Sequence, residues 1–459
     1  MRAKKKHAWH ASRRGARAGE VMSHERAAER VVPAADAAQA AEAAVEPTLN
    51  LLLETGELLF LNGQTTQRTA TAVRQMSTAF HVRADVFARW GEITVRLWDR
   101  GIPRDGIAAV APTNVDMGKV SATMKMVDGL ITRAIEAGAA PAMLRDIRHS
   151  PPLSALRLIL MTGAGAAALG VIFGVLQLFS LALIALSAML GAGVRRWLLR
   201  VSGSPLLPTF AAALIAGIVG AVVVDMHLGA AQQLVAVCPC MVLVPGPHFL
   251  NGALDLARTE ISLGVARITY ASVIVLMICA GLLLGLAVGG IGLPASAGTT
   301  AVPLLYDVIA AGVAVAAYGT FFSMPWRMLP IPILIGMLAH AARWFVVAAA
   351  GLRIEVGAFV ACLIVSIMLT PIAERLRLPF AGIAFAAVVS LVPGVFLFRM
   401  GGGLLALIAL GAKAPTGLLQ DVIVDGATAF VIMLAMAFGL IIPKLCIDRF
   451  RHGQVQAAR

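Results

Sequence analysis

The residues of this chain best suited to chemistry sit in uncharged surroundings, and most of them are prolines and glycines. The stretch from Cys238-Pro239-Cys240 to Pro245-Gly246-Pro247-His248 holds three prolines and a glycine inside an apolar run. Each proline lacks a backbone donor and clashes with the preceding turn, so this run cannot form one clean helix. Pro393-Gly394 interrupts a second apolar run in the same way. Half-helices meeting at such breaks leave N–H groups that attract a carboxylate and carbonyls that accept from an ammonium. The chemistry on offer is binding of a small polar molecule, with Pro239, Pro245, Gly246, Asn251, Pro393 and Gly394 as candidate binding residues. The plainer alternative is that the prolines only kink their helices.

Charged candidates follow the first break. Asn251-Gly252 leads to Asp255, and Gly264 to Arg267. Asp255 with Arg267 reads as a gate or a proton-coupling pair, or equally as loop charges. His248 joins the coupling candidates because an unperturbed imidazole titrates near neutral pH, although a lone interfacial histidine is more often structural. Asp225, Asp307 and Asp425 stand near the ends of apolar runs. A charge deep in a bilayer is costly and usually functional, whereas one near an end is commonly a solvated anchor. Asp307 is kept as a coupling candidate. The cysteines Cys238, Cys240, Cys279, Cys362 and Cys446 are scattered, and no cluster completes a four-ligand metal site. There is no Walker-type phosphate loop, so neither a metal nor a nucleotide cofactor is expected. No Ser/His/Asp set can be paired from sequence alone.

The elements that must position these residues fall into two physical classes. Residues 1–152 carry 21 of the 38 Lys and Arg and 16 of the 25 Asp and Glu, which leaves the remaining two thirds of the chain nearly uncharged. The boundary lies near Ser150-Pro151-Pro152. Mean hydropathy is +0.83, far above that of a soluble domain. The net charge of +13 does not indicate nucleic acid. The basic excess lies in an N-terminal run and in short loops, where membrane topology accounts for it, and no nucleic-acid module is present.

Residues 1–46 are basic and then Ala/Glu-rich, and are expected to form a disordered tail able to touch anionic lipid. No apolar run follows the first basic residues, so no cleavable signal is expected and the N-terminus should stay cytoplasmic. Residues 47–150 read as a small cytoplasmic α+β domain. Leu49, Leu52, Leu53, Val73, Met76 and Phe80 fall at helical spacing, punctuated by Gly56 and Gly63. Ile93, Val95 and Leu97 alternate with Glu92, Thr94 and Arg96 as a half-buried strand. Met117 to Ile131 forms an amphipathic helix. Beyond Pro152, long uncharged runs predict an all-α membrane region of about ten transmembrane helices. They lie near 157–176, 178–194, 206–224, 228–249, 267–289, 303–323, 328–349, 355–372, 379–398 and 425–443. Trp197, Trp326 and Trp344 suit interfacial belts.

This region repeats itself. Ile184 to Leu190 aligns with Pro332 to Leu338, and Val244-Pro245-Gly246 with Val392-Pro393-Gly394, both at an offset of 148. Arg196-Trp197 aligns with Arg343-Trp344 one residue short of that. The expected division is a first five-helix repeat over 153–293, a second over 300–445 and a cytoplasmic tail over 446–459. Five spans is an odd number, so the second repeat must be inverted. Basic loops concentrate on one side, with Arg195, Arg196, Arg200, Arg258, Arg267, Arg327, Arg375, Arg377, Lys444, Arg449 and Arg451 predicted inside and Arg343, Arg353, Arg399 and Lys413 outside. Both termini are therefore expected in the cytoplasm. Inverted repeats with matched helix breaks are a signature of secondary transporters. The partners implied are a small-molecule substrate, protons and the lipid bilayer, with room for a homo-oligomer.

Three blocks of residues carry a resemblance. They are Gly56, Asn62-Gly63, Thr66 and Arg68; then Pro239, Val244-Pro245-Gly246, Asn251-Gly252, Asp255, Gly264 and Arg267; then Leu391-Val392-Pro393-Gly394. Over roughly residues 48–445 the chain resembles the threonine/serine exporter family. The resemblance implies export of L-threonine and L-serine from the bacterial cytoplasm, across the inner membrane, driven by the proton motive force. Some relatives, split into two chains, export dicarboxylates such as succinate. A dicarboxylate exporter is therefore one alternative, and because the family's N-terminal domain has been suspected of hydrolase character, a membrane-anchored hydrolase is another. Gly63 to Ala70 lacks the acidic residues that relatives tend to carry there.

Overall fold

The structure is a computed structural model that describes residues 32–99, 101–224, 231–289, 302–376 and 378–457. The N-terminal part opens with helices α1 (Val32–Leu61) and α2 (Thr66–Ala79). Three strands follow, β1 (Arg83–Arg89), β2 (Gly91–Asp99) and β3 (Ile102–Val110), then α3 (Met117–Ile131) and α4 (Ala140–His149). The strands form an antiparallel sheet in the order β1-β2-β3. The alternation read for 92–97 is the middle strand, with Ile93, Val95 and Leu97 fully buried on one face. Of the expected tail, residues 1–31 lie outside the described residues and the rest falls within α1. Gly56 does not punctuate α1 but lies inside it, where a Cβ would come 3.3 Å from the Ile93 Cδ1 atom. Gly63 does break the chain, at φ +88.

The apolar part begins with α5 (Ala155–Ile172), α6 (Leu178–Val201), α7 (Leu206–Val224), α8 (Ala231–Met241), α9 (Gly246–Ala257) and α10 (Ile261–Val288). It continues with α11 (Leu304–Phe321), α12 (Pro330–Trp344), α13 (Ile354–Arg375), α14 (Phe380–Val388), α15 (Gly394–Leu410) and α16 (Thr416–Ala457). Among the described residues nine helices are long and apolar enough to cross a bilayer, and α8 with α9, bent by 54°, makes up to ten. Asp225 lies outside the described residues.

The second half departs from the expected spans. Helix α15 runs to Leu410 where the ninth span was expected to end at 398, and α16 starts at Thr416 rather than 425 and runs through the expected tail to Ala457. Hydropathy stopped at Arg399, Lys413 and Asp421. Within the fold, Arg399 on α15 pairs with Asp425 on α16 at 3.1 Å, so two helices carry charge past each other by neutralising it. The fifth expected span, 267–289, likewise begins earlier, at Ile261.

The halves share one packing scheme. Helix α5 packs on α6, α6 on α7, and α7 on both α8 and α10; α11 packs on α12, α12 on α13, and α13 on both α14 and α16. Leu206 and Ile354 each open the third helix of a half, 148 residues apart, as do Gly246 and Gly394 after each break. Close packing of α7 on α10 depends on glycines. A Cβ on Gly217 would strike the α10 backbone at Leu282 and Gly285, so the two backbones approach as in small-residue membrane interfaces.

Candidate functional site

The centre of the molecule is where the two broken helices meet. Helix α9 packs on α14, and α15 packs on α8, so each half-helix that follows a break lies on the half-helix that precedes the other break. Every residue of α14 is buried. A Cβ on Gly246 would fall inside the Phe385 ring of α14, and one on Gly394 would stand 2.9 Å from the Met241 side chain at the end of α8. At Gly246 only glycine fits against the ring, and at Gly394 a Cβ would require the Met241 side chain to shift.

Both breaks have the same local structure. Pro245 (φ −83, ψ 57) and Pro393 (φ −77, ψ 43) sit at the centre of inverse γ-turns. Gly246 N donates to Val244 O at 2.9 Å, and Gly394 N to Val392 O at 2.8 Å. In an unbroken helix Met241 O would accept from residue 245, but Pro245 has no N–H. The Tyr318 hydroxyl from α11 donates to that oxygen at 2.7 Å, supplementing Val244 N at 3.3 Å. Tyr318 and Phe322 lie against Phe385, forming an aromatic cover over the crossing.

On one side of the crossing lies a buried polar seam against the N-terminal part. Arg267 and Asp255 pair at 3.4 Å with 1% and 2% side-chain exposure, so neither is a loop charge. Asn251 Nδ2 donates to Gly63 O at 3.1 Å, the Thr66 hydroxyl faces the Asp255 carboxylate, and the Arg267 guanidinium lies over the Phe60 ring. His248 is buried edge-on against Tyr270. Leu263 of α10 closes a cluster with Phe60, Ile93 and Val110. Two motif blocks separated by some 190 residues thus form a single surface. Around it Arg258 pairs with Asp448 at 2.9 Å, and Lys444 with Glu374 at 3.5 Å. Burial pulls the Arg258 pKa down, and Asp448 beside it opposes the shift.

On the other side lies a second polar cluster. Asp307 on α11, taken above as near a solvated end, is buried, and its Oδ2 lies 3.1 Å from His340 Nδ1 on α12. The other ring nitrogen of His340 meets the Ser390 hydroxyl, in the turn just before Pro393. Carboxylate, imidazole and hydroxyl stand in the order of a nucleophilic triad. Here the chain is buried among the helices, with Ser390 lining a small cavity beside Arg343. Asp425, also near an end in sequence, is buried against Arg399.

The structure therefore brings Pro245, Gly246, Pro393 and Gly394 together, places Asn251, Asp255, Arg267 and His248 in one seam, and sets Asp307 apart from them. Pro239 lies within α8, lining a cavity on its α6 side. Sequence reasoning missed His340, Ser390, Tyr318 and Phe385. The one available signal was a histidine inside an uncharged run.

Membrane-crossing helices wrapped around two broken helices define a multi-pass membrane transport protein. Residues 50–289 match the ThrE threonine/serine exporter model, and residues 307–446 match a second threonine/serine exporter model. The chain belongs to the threonine/serine exporter family. The two matches divide between α10 and α11, where the halves of the fold divide. No curated protein and no solved structure was found to match the chain.

Proposed function

We propose that this protein is a secondary active exporter of small neutral amino acids, L-threonine and L-serine, coupled to the proton motive force across a bacterial inner membrane. The observation that carries this is the crossing of two identical Pro-Gly γ-turns, each sealed by a glycine contact to the other half. Breaks at matched positions of two halves are where transporters bind polar substrates. Helix α15 begins at the crossing and its first turn suits a carboxylate, whereas in α9 the γ-turn takes Gly246 N, Pro247 has no N–H and His248 N donates to Pro245 O. The carbonyls freed before each break suit an ammonium.

The halves are inverted repeats. Arg157 at the start of α5 stacks on Trp326 just after the end of its counterpart α11, at 3.7 Å. The two helices thus run in opposite directions, which supports inversion. The N-terminal α/β part sits at that same end, with Arg258, Arg327 and Lys444. The basic residues favour a cytoplasmic location for it and for both termini. Rocking one half on the other would open the crossing to each side in turn. The Asp307–His340–Ser390 chain carries the coupling proton, and the Asp255–Arg267 seam gates the cytoplasmic side.

The test is a substrate panel in proteoliposomes with an imposed pH gradient. Gradient-driven flux of labelled threonine or serine is expected. Flux of succinate alone would assign a dicarboxylate exporter, and flux indifferent to the gradient would assign a channel. Turnover of a substrate by the N-terminal part without any flux would assign a membrane-anchored hydrolase.

A further inference from the structure

Two cavities flank the crossing, and each is built around an arginine. The cavity at the end of the N-terminal part measures about 90 Å³ and is lined by Ser187, Arg195 and Arg196 of α6, Pro239, Leu243 and Phe321. The cavity on the opposite side measures about 30 Å³, and its lining includes Phe173, Arg343, Ser390, Leu391 and Pro393. Arg195 and Arg343, Leu243 and Leu391, and Phe173 and Phe321 are pairs each 148 residues apart. The phenylalanines are exchanged: Phe321 of the second half closes the cavity of the first, and Phe173 of the first half closes that of the second. The cavities are thus counterparts under the same two-fold relation as the breaks. They pair Arg343 with Arg195, not with Arg196 as the Arg-Trp alignment had it.

The first cavity is chemically incomplete. Among the described residues no carboxylate pairs with Arg195 or Arg196, whereas Arg343 has Asp307 for electrostatic company. The Ser187 hydroxyl is 2% exposed and has no hydrogen-bond partner, nor have the Nε atoms of Arg195 and Arg196. The Arg195 guanidinium lies 5.0 Å from the Phe321 ring centroid, a contact that leaves its Nε–H donor unsatisfied. Two cations and a buried hydroxyl in one apolar pocket call for an anion with planar oxygens, and a carboxylate fits a guanidinium fork.

We propose that Arg195 and Arg343 are paired carboxylate-docking residues, one on each side of the crossing, that hold the carboxylate of a small organic acid as access alternates. Arginine suits the task because its planar guanidinium presents a fork of donors that matches the two oxygens of a carboxylate. The inference rests on the exporter reading and deepens it by naming the group through which substrate is held.

The test uses the purified full chain and four probes, L-threonine, L-serine, succinate and L-threoninol, the last lacking a carboxylate. Binding is read by calorimetry and exchange by counterflow in proteoliposomes, with melting curves to check folding. At least one carboxylate should bind and threoninol should not. Arg195→Gln should weaken binding at least tenfold, and Arg195→Lys, which keeps the charge but not the fork, should weaken it less. Arg343→Gln should slow exchange at least tenfold, and Arg353→Gln, on an exposed loop, should match wild type. If Arg195→Gln does not fold, the Lys variant and threoninol still decide. Wild-type affinity in folded Arg195→Gln, threoninol binding as tightly as threonine, or no carboxylate bound by the wild type would each overturn the proposal. Succinate binding alone, lost in Arg195→Gln, would sustain the arginine assignment while sinking the neutral amino-acid reading.

Discussion

Met241 and Arg267 present the same problem at the residue scale: a polar group inside an apolar core that needs a particular partner. For the Met241 carbonyl that partner is Tyr318. Tyr318→Phe should lower stability by about 1–3 kcal/mol, toward the low end because Val244 N remains near, and a melting curve in detergent would read it. For Arg267 the partner is Asp255. Asp255→Asn leaves a buried guanidinium uncompensated and should cost about 3–5 kcal/mol. Replacing both residues with apolar ones of similar size should recover most of that loss. A double variant as unstable as the single would show that the charge is not the cause. His340→Gln keeps a similar side-chain length while losing the titrating ring. Flux in that variant should continue down a substrate gradient but lose its response to an imposed pH gradient; an unchanged response would remove the Asp307–His340–Ser390 chain from the mechanism.

At the scale of elements, the tightest contact at the crossing is that of Gly246 with Phe385. Gly246→Ala drives a methyl into the Phe385 ring, and overpacking of this kind costs about 1–3 kcal/mol. Phe385→Ala in the same chain should restore folding in part, which a thermal melt of the single and double variants would reveal. The elements also mark where sequence was informative. The Pro-Gly breaks were legible because proline and glycine act locally. Strand β2 was legible because one face is buried, whereas β1 and β3 are largely exposed and show little apolar alternation. Helices α15 and α16 were truncated in the sequence reading because Arg399 and Asp425 look unburiable singly. Their pairing is a tertiary fact that no window of sequence contains. His340 was passed over for the same reason, since its partners lie on α11 and after α14.

The whole molecule is one body with a seam. Phe60, Ile93 and Val110 of the N-terminal part enclose Leu263 of α10, and Gly63 accepts from Asn251. Met117 N donates to Phe322 O at 2.9 Å, a backbone link between the N-terminal part and the turn after α11. Removing residues 1–150 would expose the Asp255–Arg267 pair and this cluster, so the truncated chain should lose both stability and transport. Export by a well-folded truncation would make the N-terminal part dispensable. The family and most of the apolar spans could be read from sequence; the docking of its two motif blocks onto each other could not, because they lie far apart in the chain. The central claim is that the two breaks together form the transport site. Its most direct measurement is pH-gradient-driven threonine and serine flux in proteoliposomes for Pro245→Ala and Pro393→Ala, at matched reconstitution. The account predicts that each variant alone falls at least tenfold below wild type. Wild-type flux in both would make the breaks simple kinks and contradict it.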